Sequence, residues 1–234
     1  MAEQQKTIMA IGGHVGDAEL TSGGVLATLS LKGWKVVTLA LTGGERGNPP
    51  HQTVAEYRKQ KEQEAAAFAQ MMGGEAVILP YADGELPDTQ EVRFEVCDQI
   101  RKYKPKVLLT HWKNSIHKDH EATYRIVKDA QFFAGLPSFE RELPAHYAGG
   151  PYYAQNWEDP TGFVPYAYVE VSEEGFALWQ KAIQTQWFAI HSPSFHYAEY
   201  YSHLMKCNGY LARKPYAEAF AVDENQKTIQ ISEF

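Results

Sequence analysis

The sequence predicts an α/β protein with a Rossmann-like, mostly parallel sheet and helices on both faces. Three observations carry that expectation. Apolar runs alternate with helix-like stretches at even spacing through residues 7–110. Lys35–Leu41, KVVTLAL, is a near-continuous β-branched run of the kind that fills a buried parallel strand. Each apolar run stops at glycine, proline or polar residues before the next helical pattern begins. Repeated β-loop-α units imply right-handed crossovers and a doubly wound sheet.

Taken in order, Thr7–Ile11 reads as a strand, and Leu20–Leu31 as a helix with Leu20, Gly24, Leu26, Ala27 and Leu31 at helical spacing. Gly33 ends it, and the strand Lys35–Leu41 follows. Thr42–Pro50, TGGERGNPP, is a loop by its glycine and proline content. Tyr57–Met72 is rich in Ala, Gln, Glu and Lys and reads as a helix stopped at Gly73-Gly74. Ala76–Leu79 is a third strand, and Val92–Tyr103 an amphipathic helix ending before Pro105. Val107–Thr110 is a fourth strand that runs into HWKNSIHKDH. Phe132–Pro165 is rich in Pro, Gly and aromatic residues and shows no clear period. Beyond it, Ala167–Val171 and Tyr216–Val222 read as strands, and Glu174–Trp187 and Ala198–Gly209 as helices on either side of a break at Pro193–His196. With no repeat and no linker, residues 1–234 are expected to form a single domain with a less regular, aromatic-rich C-terminal third.

The 234 residues carry a formal charge of −7, which argues against a general nucleic-acid or anionic-membrane binder. The N-terminus lacks a charged segment followed by a long apolar one, and no run approaches a membrane span, so a cytoplasmic protein is expected. Cys97 and Cys207 are far apart and read as reduced, packed residues. The aromatic-rich region leaves homo-oligomerisation open.

Chemistry concentrates at the strand ends. IMAIGGHVGDAE places His14 and Asp17 three residues apart across a glycine turn, between the first strand and the first helix. A capping Asp beside a histidine is the plainer account of that pair taken alone. HKDH at 117–120 alters the balance: His117 and His120 share one face of a helical turn, and Asp119 stands between them to fix an imidazole tautomer. In an open parallel sheet, loops at strand C-terminal ends share one edge. His14, Asp17, Glu45, Asp83, His111 and 117–120 are therefore expected to converge, and imidazoles with a carboxylate suit a catalytic divalent ion with an open position. A nucleotide site fails on the loop, because Gly12-Gly13-His14-Val15-Gly16 lacks the G-x-G-x-x-G spacing.

These motifs resemble those of the PIG-L/LmbE-like zinc-dependent de-N-acetylases. GHVGDAE matches the family's AHPDD-x-E, HKDH matches HPDH, and TGGERG, YADGEL and YAEAF fall in the family's order. The resemblance implies removal of an N-acyl group, most simply acetyl, from an amino-sugar-like substrate. It implies zinc, or another divalent metal, on His14, Asp17 and His120. It puts His117 in an oxyanion or general-acid role oriented by Asp119, and Asp83 at sugar hydroxyls. An arginine of the family's second helix corresponds to Lys61, or is shifted to Arg58. The departure is Gly16, where the family carries its general-base Asp. Loss of a general base costs on the order of 10²–10⁴ in rate. Zinc hydroxide alone, a substitute base such as Glu45 or His117, and a weakened or inactive metal- and carbohydrate-binding homologue are the three accounts. Glycine would also leave room beside the metal for a different substrate pose. Further substrate contacts are expected at Glu45, Arg46, His111, Trp112 and Asn114. For His111 and Trp112, packing at a strand end is an equal alternative; for Arg46, a surface ion pair is.

Overall fold

A computed structural model describes residues 5–227; residues 1–4, the start of the N-terminal segment read above, lie outside it. Seven strands form one sheet: β1 (Thr7–His14), β2 (Lys35–Thr42), β3 (Glu75–Tyr81), β4 (Val107–Thr110), β5 (Gly149–Ala154), β6 (Ala167–Val171) and β7 (Tyr216–Ala221). Their spatial order is β3-β2-β1-β4-β5-β7-β6. The first five are parallel, and β7 runs antiparallel to both β5 and β6. The order reverses between β1 and β4, and open α/β sheets place their sites at the carboxyl ends of strands flanking such a reversal.

Side-chain alternation divides the interior in two. Ile8 and Ala10 of β1 and Val36 of β2 face one core, completed by Leu26, Phe68, Trp179, Tyr201 and Met205. These come from α2 (Gly23–Leu31), α3 (Val54–Met71), α6 (Glu173–Ala182) and α8 (Tyr197–Ala212). Met9, Ile11, Val37 and Leu39 face the other core, with Val92, Val96 and Ile100 of α4 (Gln90–Tyr103) and Ile126, Val127 and Ala130 of α5 (Lys118–Gly135). Thr53 caps α3 by accepting from Glu56 N, and the Glu56 carboxylate accepts Thr53 N at 2.9 Å. This reciprocal pairing satisfies two otherwise orphaned N–H groups.

Several elements differ from the sequence reading. The helix expected over Leu20–Leu31 is two, α1 (Asp17–Thr21) and α2, broken at Ser22, whose φ of −135° is not helical. The break lets Glu218 of β7, fully enclosed, accept Gly24 N at 2.8 Å and Val25 N at 2.9 Å at the α2 N-terminus. The polar stretch after β4 continues into α5, of which the sequence reading gave only the helical turn at His117–His120. β5 lies inside the segment read as irregular, and the helix expected to reach Trp187 ends at Ala182, followed by a 3-10 turn and the short α7 (Trp187–His191). Cys97 is buried, but Cys207 is exposed rather than packed. No helix of the described residues is long and apolar enough to cross a membrane.

Candidate metal centre

β1 ends on His14, and Asp17 opens α1 one turn later, with its Oδ2 accepting His14 N at 2.7 Å. His120 sits in the first turn of α5, capped by His117. These elements bring three ligand-type atoms into one small triangle. His14 Nδ1 lies 3.2 Å from Asp17 Oδ2 and 3.2 Å from His120 Nε2, and His120 Nε2 lies 3.4 Å from Asp17 Oδ2. Ligands at about 2.0–2.2 Å from a tetrahedral ion stand about 3.3–3.6 Å apart, so the triangle has the dimensions of one face of such a coordination shell.

The surroundings suit positive charge. Burial works against ionisation of Asp17, yet His120, His14 and His111 hold its carboxyl well below the usual range. Burial likewise works against charging His120, yet Asp17 and Asp159 lift it to about 9. Without a cation, the field draws a proton onto the imidazoles; a divalent ion satisfies the same field. His14 Nε2 lies 3.1 Å from Asp83 Oδ1 and 3.5 Å from Asp119 Oδ2. Those carboxylates favour the proton on Nε2, which leaves the Nδ1 lone pair free for a metal. Behind His120, the Nδ1 atom lies 3.2 Å from Glu158 Oε2 and 3.2 Å from Ser115 Oγ. Asp159, almost wholly buried, faces both His120 Nδ1 and His111 Nδ1 at 3.7 Å.

His117 is placed differently. Its Nδ1 accepts Asp119 N at 3.2 Å, so the ring proton resides on Nε2. Burial, then His14 and His120, lower its pKa from the ordinary histidine value. The result is a neutral N–H donor beside the triangle, with its ring 4.5 Å from that of His14. The sequence reading has Asp119 orient His117, and here its backbone N–H, rather than its carboxylate, makes the hydrogen bond to that ring. Its Oδ2 accepts Gly84 N at 2.7 Å and faces His14.

A cavity of about 510 Å³ opens onto His14, Asp17, His117 and His120, with Asp83, Glu158 and Lys61 on its polar side. Trp157, Trp187, Phe188 and Tyr197 form an aromatic wall. The other residues expected to touch substrate lie outside this lining. Glu45 is buried, accepts Asp83 N at 2.9 Å, and so holds the Asp83 loop. Arg46 donates its backbone N–H to Asp83 Oδ2 at 3.0 Å and sends its side chain outward to Glu85. His111 is buried under the triangle, stacked on His120 at 3.9 Å, with its Nε2 accepting Gly13 N at 3.0 Å. Trp112 Nε1 and Asn114 Nδ2 both donate to Thr161 O at 3.0 Å, fastening the loop that carries Glu158 and Asp159. Glu158 and Asp159 themselves were missed, because they lie in an aperiodic stretch where only proximity in the fold reveals them. The room expected beside Gly16 is also filled: a Cβ there would stand 2.4 Å from Phe188 Cε1.

Comparison with known proteins bears on this site. The family model for PIG-L, GlcNAc-PI de-N-acetylase, matches residues 9–131, more than half of the chain and the whole of the ligand triangle. The chain belongs to the PIG-L family. Within it, the sequence is 33% identical over 141 residues to diacetylchitobiose deacetylase of Thermococcus kodakarensis, covering 58% of this chain and 53% of that one. The chain spans little more than half the length of the relatives it matches by sequence. Among solved structures, 4-carboxy-2-hydroxymuconate hydratase of Pseudomonas putida superposes with a TM-score of 0.85 at 19% identity, covering 98% of this chain and 99% of that one. N,N'-diacetylchitobiose deacetylase of Pyrococcus horikoshii gives 0.80 at 21% identity, covering 95% and 85%. The fold shared with these structures extends over nearly the whole chain, beyond the segment matched by the family model.

Proposed function

We propose that this chain is a zinc-dependent hydrolase that removes an N-acyl group, acetyl in the simplest case, from an amino-sugar-like substrate. The observation that carries the reading is the triangle of His14 Nδ1, Asp17 Oδ2 and His120 Nε2, whose edges of 3.2, 3.2 and 3.4 Å match tetrahedral zinc. These three residues would hold the ion, and when bound it supplies Lewis acidity toward an acyl carbonyl and acidifies water to near pH 7. His117 Nε2–H supplies a neutral hydrogen-bond donor for the developing oxyanion. Asp83 and Asp119 hold the His14 tautomer, and Glu158 orients His120. The aromatic wall offers flat faces to a sugar ring.

The test loads the purified protein with zinc, measures bound metal, and follows acetate release from N-acetylglucosamine conjugates. The expected result is one zinc per chain, with turnover lost in His120→Ala together with the metal. His117→Ala should keep the metal and lose turnover by about 10²–10³. A zinc-free protein, or an unaffected His117→Ala, overturns the reading.

Gly16 favours a second reading. No carboxylate can extend from position 16 while Phe188 occupies that space. With the family's amide-hydrolysis base missing, the alternative is addition of water to a small molecule with another group taking the water's proton, the class of reaction named for the Pseudomonas putida hydratase that shares the fold. Zinc uptake without acetate release from any N-acetyl sugar selects this second reading.

A further inference from the structure

Lys61 of α3 is 2% exposed, yet it lines the cavity. Its Nζ makes no hydrogen bond among the described residues; its nearest carboxylate oxygen is Glu64 Oε2, at the outer limit of an ion pair at 4.0 Å. Its close neighbour is the Phe188 ring, with the ammonium 4.0 Å from the centroid. That ring occupies the space a side chain at position 16 would need. The ammonium is also near the metal triangle: the point where a Cβ on Gly44 would stand is 3.1 Å from His14 Cβ and 3.8 Å from Lys61 Cε. A buried ammonium is costly unless a partner satisfies it, and here the carboxylates of Glu64, Glu19, Asp17 and Asp83 act on it through space without a hydrogen bond to it.

We propose that Lys61 is a specificity-determining residue that pairs with a carboxylate of the substrate, so that the molecule processed here is a carboxylated one reaching from the metal triangle to α3. This rests on the metal reading above and narrows its substrate class. A single ammonium balances the one negative charge of a carboxylate, whereas a phosphoryl group would bring more charge into a cavity also lined by Asp17, Asp83 and Glu158. Among the described residues lining the cavity, Lys61 is the one lysine or arginine. Phe188 adds a cation–π face that holds the ammonium in place without neutralising it.

The test compares succinate with butyrate, which has the same carbon count and one carboxylate fewer, by calorimetry on zinc-loaded wild type and Lys61→Met. Wild type should bind succinate about tenfold or more tightly than butyrate. Lys61→Met, near-isosteric and apolar, should lose that preference and leave butyrate affinity unchanged. Equal affinities in wild type overturn the proposal, and this arm needs no variant to fold. A preference that survives in folded Lys61→Met overturns it too, as does inorganic phosphate binding as tightly as succinate. The metal content of the same samples judges the zinc reading separately. If no zinc is taken up, that reading fails, and butyrate against butyramide on the metal-free protein decides the role of Lys61.

Discussion

Replacing Gly16 with aspartate is the substitution that the family pattern invites, and the structure predicts that it fails. Gly16 has φ of +108°, where a side chain is strained at a cost of about 1–3 kcal/mol. The new Cβ would stand 2.4 Å from Phe188 Cε1 and 2.5 Å from Cζ, so the ring must move or the backbone must shift. Overpacking of that kind costs typically 1–3 kcal/mol. Gly16→Asp should therefore lose about 2–6 kcal/mol, which for a chain of this size lowers Tm by roughly 5–20 °C. Acetate release should not rise. Phe188→Ala removes the steric part and leaves the dihedral strain, so the double variant should recover at least about 1 kcal/mol over additivity. Thermal unfolding and denaturant titration of the four proteins measure the cycle. Gly16→Asp with wild-type stability, within about 0.5 kcal/mol, refutes the packing account. A gain in turnover from that single change refutes the claim that Phe188 excludes a carboxylate.

Two further outcomes are expected. Glu158→Gln removes the carboxylate that faces His120 Nδ1, so zinc affinity should fall about 10–100-fold while the far-UV spectrum is unchanged; an unaltered affinity in a competition assay with a chelator contradicts that role. Burial pushes the Glu218 carboxyl up to about 8, against the two backbone N–H donors of α2. Its folded-state pKa lies above the unfolded one, so its contribution is complete below about pH 4.5 and is lost as pH rises toward 8. The advantage of wild type over Glu218→Gln in urea unfolding should accordingly shrink between pH 5 and 8.5, on the order of a few kcal/mol, and a constant difference would sink the assignment.

The central strands of the sheet were legible because Thr7–Ile11, Lys35–Leu41 and Val107–Thr110 are apolar runs, buried on both faces as the sheet requires. The meeting of His14, Asp17 and 117–120 was legible for a topological reason: parallel strands deliver all their following loops to one edge. β5 was hidden because GGPYYA has neither alternation nor β-branched residues. α5 was hidden behind its polar opening, although Ala122, Ile126, Val127 and Ala130 keep helical spacing further on. The partners of the site residues were the least readable. His111 sits at a strand end like a substrate contact, and only its stacking on His120 and its acceptance of Gly13 N show it facing inward. Asp119 stands two residues from His117 in sequence, yet its carboxylate accepts Gly84 N and faces His14.

The ligand triangle and the aromatic wall of the cavity come from different stretches of polypeptide. His14, Asp17 and His120 all fall within residues 9–131, whereas Trp157, Trp187, Phe188 and Tyr197 all come after them. A change of sequence beyond residue 131 can therefore reshape that wall without touching His14, Asp17 or His120. Grafting the distal portion of one homologue onto the proximal portion of another should exchange the aromatic wall, while Lys61 and the triangle stay with the proximal portion.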